Sequence, residues 1–93
     1  MKTKKLNQVR KKIDRLDNKL LQIIKKRTEL VKQVIKLKKT KRQIVDRKRI
    51  NRVLKNIKKK SIKNGIDPMI TRRIWKSMIW SYIDFQRKNF VKK

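Results

Sequence analysis

Residues 6–39 read LNQVRKKIDRLDNKLLQIIKKRTELVKQVIKLKK, and their spacing decides the fold class. Apolar side chains recur at Leu6, Val9, Ile13, Leu16, Leu20, Ile23, Leu30, Val34 and Leu37, in alternating steps of three and four, with Arg27 in the slot between Ile23 and Leu30. On a helix of 3.6 residues per turn this spacing gathers every one of them on one side. The pattern predicts an amphipathic helix over roughly residues 5–39, about 50 Å long. That is longer than a small globule needs, so the stripe calls for a coiled-coil-like partner, either from this chain or from a second copy. Arg27 interrupts the stripe in a core slot. Its stem could pack while its head reaches water, or it could be an inward cation facing a buried anion.

Outward from this helix, a short polar link near Thr40–Val45 leads to Asp46, a plausible N-cap. A second helix is expected over about 46–63, with Ile50, Val53, Leu54, Ile57 and Ser61 on one face. Asn64-Gly65 supplies a C-terminal stop, and Asp67-Pro68 restarts the chain as N-cap and first position of a third helix. The third helix carries a column at every fourth residue, Ile70, Ile74, Met78, Tyr82, Gln86 and Phe90, flanked by Ile79 and Ile83. Tyr82 and Gln86 in that column either mark a helix end emerging into solvent or line a polar cavity. There is no internal repeat and no low-complexity linker.

Composition agrees with an all-α class. The 93 residues suit a single domain, 1–93, and they contain one Gly, one Pro and no Ala, too few turn residues for a sheet protein. Apolar residues make up 37% of the chain and are regularly spaced, so a charged fraction of 42% does not signal disorder. Cysteine and histidine are absent, which excludes a disulfide framework, a Cys nucleophile and a His base, and no metal site or cofactor is expected. The absence of Cys fits a cytoplasmic protein. MKTKKLNQVRKK has no apolar run behind its lysines and is not read as a secretory signal, and no stretch approaches a membrane span.

The formal net charge of +27 could mean binding to nucleic acid or to an anionic membrane. Composition offers a plainer cause. Lys, Ile and Asn, all served by A/T-rich codons, fill 42 of 93 positions, while Ala, Gly and Pro are nearly missing. The charge is spread over every segment, and drift in composition is the favoured reading, with no specific nucleic-acid partner and no membrane.

Several short motifs occur together in register. Val9-Arg10-Lys11-Lys12-Ile13-Asp14-Arg15-Leu16-Asp17 resembles the LRxxIDxID opening of the all-helical chorismate mutases. Lys26-Arg27-Thr28-Glu29-Leu30-Val31 is similar to their xRxxLV, Val34–Lys38 to VxxxK, and Asp46-Arg47-Lys48-Arg49 to DxxR. Asn64-Gly65-Ile66-Asp67-Pro68 resembles xGLDP, and Ile74-Trp75 and Gln86 fall where that family carries IF and a late Gln. The resemblance covers about residues 6–88 with one small gap in the first loop. Each motif alone is weak, and six in order are specific.

This resemblance implies an intertwined homodimer of three-helix chains with two active sites, each built from both chains, that rearranges chorismate to prephenate. By position in the motifs, Arg10 would reach a substrate carboxylate from the partner chain, and Arg27 would clamp a carboxylate within its own chain. Lys38 and Gln86 would hydrogen-bond the ether oxygen whose bond breaks. Arg49 would support the carboxylate contacts, and Asp46 would lie near the ring hydroxyl. Helical rise agrees on one point: Arg10 and Lys38 are 28 residues apart, roughly 42 Å along one straight helix, too far to touch one small ligand from one chain. The chemistry suits these residues, because an intramolecular rearrangement of a dianion needs positioning and fixed charge rather than a nucleophile or cofactor.

Two positions depart from the mutase pattern. Ile50 stands where the mutases place a Glu, and Tyr82 stands where a small polar residue is common. Both are similar to a sister branch, the isochorismate pyruvate lyases of salicylate formation, compared through Ser81-Tyr82-Ile83-Asp84-Phe85-Gln86. Asp46 fits the mutases better, and mutase is the preferred reading. A non-enzymatic basic helical protein that binds nucleic acid is the alternative from a different class. Scattered cations, few aromatics and the lack of a binding motif speak against it.

Overall fold

The computed structural model describes residues 2–91. Among them are three α-helices and no strand: α1 Lys2–Leu37, α2 Arg47–Lys63 and α3 Pro68–Asn89, with a 3-10 turn at Lys41–Ile44. The all-α expectation, one long helix and two shorter ones, is met. No helix is long and apolar enough to cross a membrane. The chain divides into two units, the first ending at Lys32 and the second beginning at Gln33.

The first unit is a helical rod whose heptad-like side chains remain open in the single chain. Leu16 is 59% exposed, and Leu6, Val9, Ile13, Leu20 and Ile23 are comparably bare. Burying one such side chain is worth about 1.5–3 kcal/mol relative to leaving it in water. An unbroken row of them on one face is therefore a substantial unmet demand for apolar cover.

The second unit is built on a helical hairpin. Asp46 caps α2, its Oδ1 accepting from Arg49 N–H at 3.0 Å, and Asp67 caps α3, its Oδ1 accepting from Met69 N–H at 2.9 Å, with Pro68 at the first helical position. Between them α2 ends in a Schellman arrangement, with Ile66 N–H donating to Ser61 O at 2.8 Å and Gly65 N–H to Ile62 O at 3.2 Å. Gly65 adopts φ 68°, the left-handed region, and a Cβ there would meet nothing within 4 Å. The cost of a side chain is thus purely conformational. Gly65→Ala is expected to lower stability by about 1 kcal/mol, read as a lower denaturation midpoint with an unchanged helical signal.

The face of α2 that packs on α3 is the one its spacing predicts: Ile50, Val53, Leu54 and Ile57 are half-buried and Ser61 is buried. Ser61 Oγ and Thr71 Oγ1 lie 2.7 Å apart, a buried hydrogen bond between the two helices. On α3 the predicted column is packed in its second half, where Met78, Tyr82 and Phe90 are half-buried and Gln86 is buried, and departs from the packed face in its first. Thr71 and Ile83 are buried and Trp75 and Ile79 half-buried, while Ile70 and Ile74 are about half exposed. A strict i, i+4 column drifts around a helix by about 40° per step, so one column cannot stay on the packed face over five turns. The link expected to be polar also differs. It folds into the 3-10 turn, buries Ile44 to 3% exposure and packs against α3.

Candidate functional site

Lys38 follows the last residue of α1, and its backbone N–H still donates to Val34 O at 3.1 Å. Gln86 lies near the end of α3, 8% exposed, one turn from buried Ile83. The chain brings these two side chains together across 48 positions, with Lys38 Nζ donating to Gln86 Oε1 at 2.8 Å. An ammonium has no acceptor, so the amide must present its oxygen to it. This leaves two ammonium N–H bonds and the Gln86 amide N–H groups as donors for an electron-rich atom.

The 3-10 turn carries the chain from Lys38 to Asp46. Gln43 Oε1 accepts from the N–H groups of Lys39 at 2.6 Å and Thr40 at 3.2 Å, tying the turn back on its own start. Helical spacing and the family motifs pass over Gln43 and Ile44. The Ile44-Val45 pair, apolar in an otherwise polar link, was the available signal.

Half-burial lowers the Lys38 ammonium below the ordinary lysine range, because removing a cation from water favours its neutral form; the Asp46 carboxylate opposes this. The unfolded chain therefore binds a proton more tightly at Lys38 than the folded one does. Across the window between the two titrations stability rises with pH, and at lower pH the folded state carries the cost of the buried charge. Lys38 is expected to titrate at lower pH than the exposed lysines, as followed by side-chain 15N chemical shift. Asp46→Asn, which retains a capping oxygen, is expected to move it lower still. An unchanged or raised midpoint in that variant contradicts the role given to Asp46.

Of the other expected site residues, Ile50 is half-buried on α2, its N–H donating to Asp46 O at 2.9 Å. Tyr82 is half-buried on α3, edge-on to Phe85 with ring centroids 6.4 Å apart. The Arg49 side chain is exposed. Arg10 and Arg27 belong to the first unit, where Arg10 is exposed and Arg27 half-buried. A separate concavity of about 260 Å³, lined by Leu54, Lys58, Pro68, Met69 and Arg72, includes none of these residues. Among the described residues no group of three or more His, Cys, Asp or Glu is placed to hold a metal ion.

These features describe an all-helical protein in which a partly desolvated Lys38 ammonium donates to the Gln86 amide oxygen. Residues 9–87 match the chorismate mutase type II family, and the chain belongs to that family. No curated protein and no solved structure matches it.

Proposed function

We propose that the protein is a chorismate mutase, converting chorismate to prephenate in the shikimate route to phenylalanine and tyrosine, as a single domain over residues 1–93 acting in the cytoplasm without a cofactor. The observation that carries this reading is the 2.8 Å Lys38–Gln86 hydrogen bond in a chain of this family. The rearrangement breaks a C–O bond while a C–C bond forms in the same molecule, and negative charge grows on the ether oxygen. Lys38 and Gln86 are catalytic by donating to that oxygen, a charge-stabilising arrangement that needs no reorganisation during the step. Arg27 and the partner subunit's Arg10 hold the substrate carboxylates, which the planar guanidinium can grip through two parallel hydrogen bonds. Arg49, Asp46, Ile50 and Tyr82 complete the substrate's surroundings.

The proposed assembly is an intertwined homodimer. Its support is the bare stripe of α1, which a second copy would cover, and the length of α1, which separates Arg10 from Lys38 along the chain.

A second reading has an observation of its own. Ile50 puts an aliphatic, half-buried side chain where a mutase would offer a carboxylate to the ring hydroxyl, and Tyr82 is bulky. Both suit isochorismate pyruvate lyase activity. Incubation with each substrate separates the two: prephenate from chorismate supports the mutase, and salicylate plus pyruvate from isochorismate supports the lyase. Prephenate formation no faster than the uncatalysed rate overturns the first reading.

A further inference from the structure

The cations are not evenly distributed among the helices. α2 carries nine Lys and Arg in 17 residues and no Asp or Glu, against 13 with three acids in the 36 residues of α1 and five with one acid in the 22 of α3. All nine on α2 are exposed. The ion pairs Lys32–Glu29 and Arg87–Asp84 both lie outside α2.

Five of the nine form a stripe. Lys48, Arg52, Lys55, Lys59 and Lys63 follow steps of four, three, four and four. At 100° per residue they lie within about 50° of the direction opposite the face packed on α3, along roughly 22 Å of helix. Successive members are therefore neighbours on the helix surface, and like charges at that spacing repel. The fold holds them in line because the apolar face of α2 is fixed against α3.

We propose that this outward stripe of α2 is a docking surface for the phosphate backbone of a nucleic-acid duplex, bound without regard to base sequence. Charge complementarity carries the argument. A duplex presents one negative charge per about 1.7 Å of axis, so a rigid row of five cations finds a phosphate for every member and releases condensed counterions. The stripe contains no aromatic residue to stack on bases and no Asn or Gln to read their edges. A lipid surface is the poorer fit. A helix lying on a membrane inserts a continuous apolar face, and that of α2 is turned toward α3, with Ile62 the exposed apolar residue beside the stripe. Arg49, Asp46 and Ile50 lie outside the stripe, so this surface is independent of the proposed substrate site and stands or falls separately from it.

The test uses the full chain, a labelled duplex of about 20 base pairs and fluorescence anisotropy over a series of salt concentrations. Each phosphate contact contributes about 0.9 to the slope of log K against log salt. Replacing all five stripe residues by Gln is expected to reduce that slope by about 4 and to weaken binding near 0.1 M salt by at least about a hundredfold. A control in which Arg72, Arg73, Lys76, Arg87 and Lys88 of α3 become Gln removes the same charge and is expected to change the slope by less than half as much. Should the five-fold variant lose its helical signal, Lys55→Gln with Lys59→Gln serves in its place, with an expected slope change of about 2. Equal losses in the stripe and control variants would mean that the charge acts diffusely, and would overturn the proposal. So would the absence of duplex binding near 0.1 M salt, or tighter stripe-dependent binding to phosphatidylserine-containing vesicles than to the duplex at the same salt.

Discussion

Lys38→Ala is expected to lower the turnover of chorismate by a factor of about 10²–10³, the loss typical when one donor to a developing oxyanion is removed. The substitution deletes the Nζ that donates to Gln86 Oε1, and with it the cation proposed to stabilise charge on the ether oxygen. The fold should tolerate the change. Lys38 lies just beyond the C-terminus of α1 and is half-buried, so its loss leaves the helix and the α2–α3 packing in place. Gln86 becomes a buried amide short of one partner, a cost of about 1–3 kcal/mol that denaturant melting can read apart from activity. The loss should fall mainly on kcat, because the interaction strengthens as charge develops on the oxygen. A wild-type kcat in a chain that turns over chorismate would remove Lys38 from the mechanism.

The second large effect concerns the assembly. Arg27→Ala and Arg10→Ala are each expected to bring turnover close to the uncatalysed rate with the helical signal nearly intact. Mixing the two variant chains under conditions of subunit exchange is expected to restore activity. In a two-fold symmetric dimer each site would take Arg27 from one chain and Arg10 from the other. Half of the randomly formed dimers are then mixed, and one of the two sites in each has both arginines. Recovery should therefore approach about a quarter of wild-type activity. No recovery despite demonstrated exchange would mean that the sites are not shared between chains.

Much of the fold was legible because it rests on local rules. Alternating steps of three and four from Leu6 to Leu37 mark α1, and Asp46, Gly65, Asp67 and Pro68 mark the ends of α2 and α3 through capping oxygens, a left-handed turn and a fixed φ. The packed face of α2 was equally plain, since Ile50, Val53, Leu54 and Ile57 fall within about 100° of arc, leaving only Ile62 on the outward side. The packed face of α3 was less so. Its charged residues do share one side, within about 160° of arc, but the i, i+4 column starts at Ile70 on the edge of that arc and drifts onto the packed face only from Met78. The turn at Lys41–Ile44 was missed because its stability comes from burying Ile44 against α3, an interaction far away in sequence.

The candidate site divides along the same line. Residue identity and spacing alone determined that the chain is helical, that it carries an open apolar stripe, and that Arg27 interrupts that stripe, because helical periodicity acts over a few residues. Register within the family motifs then drew attention to Lys38 and Gln86. Only the tertiary structure decided that Lys38 and Gln86 meet, that the ammonium is partly desolvated, and that Asp46 both caps α2 and opposes the resulting fall in the lysine's proton affinity. Those properties depend on which groups exclude water from a side chain and which charges remain near it, and the first is set by Gln86, 48 residues away, and the second by Asp46, which the fold of the intervening turn brings near.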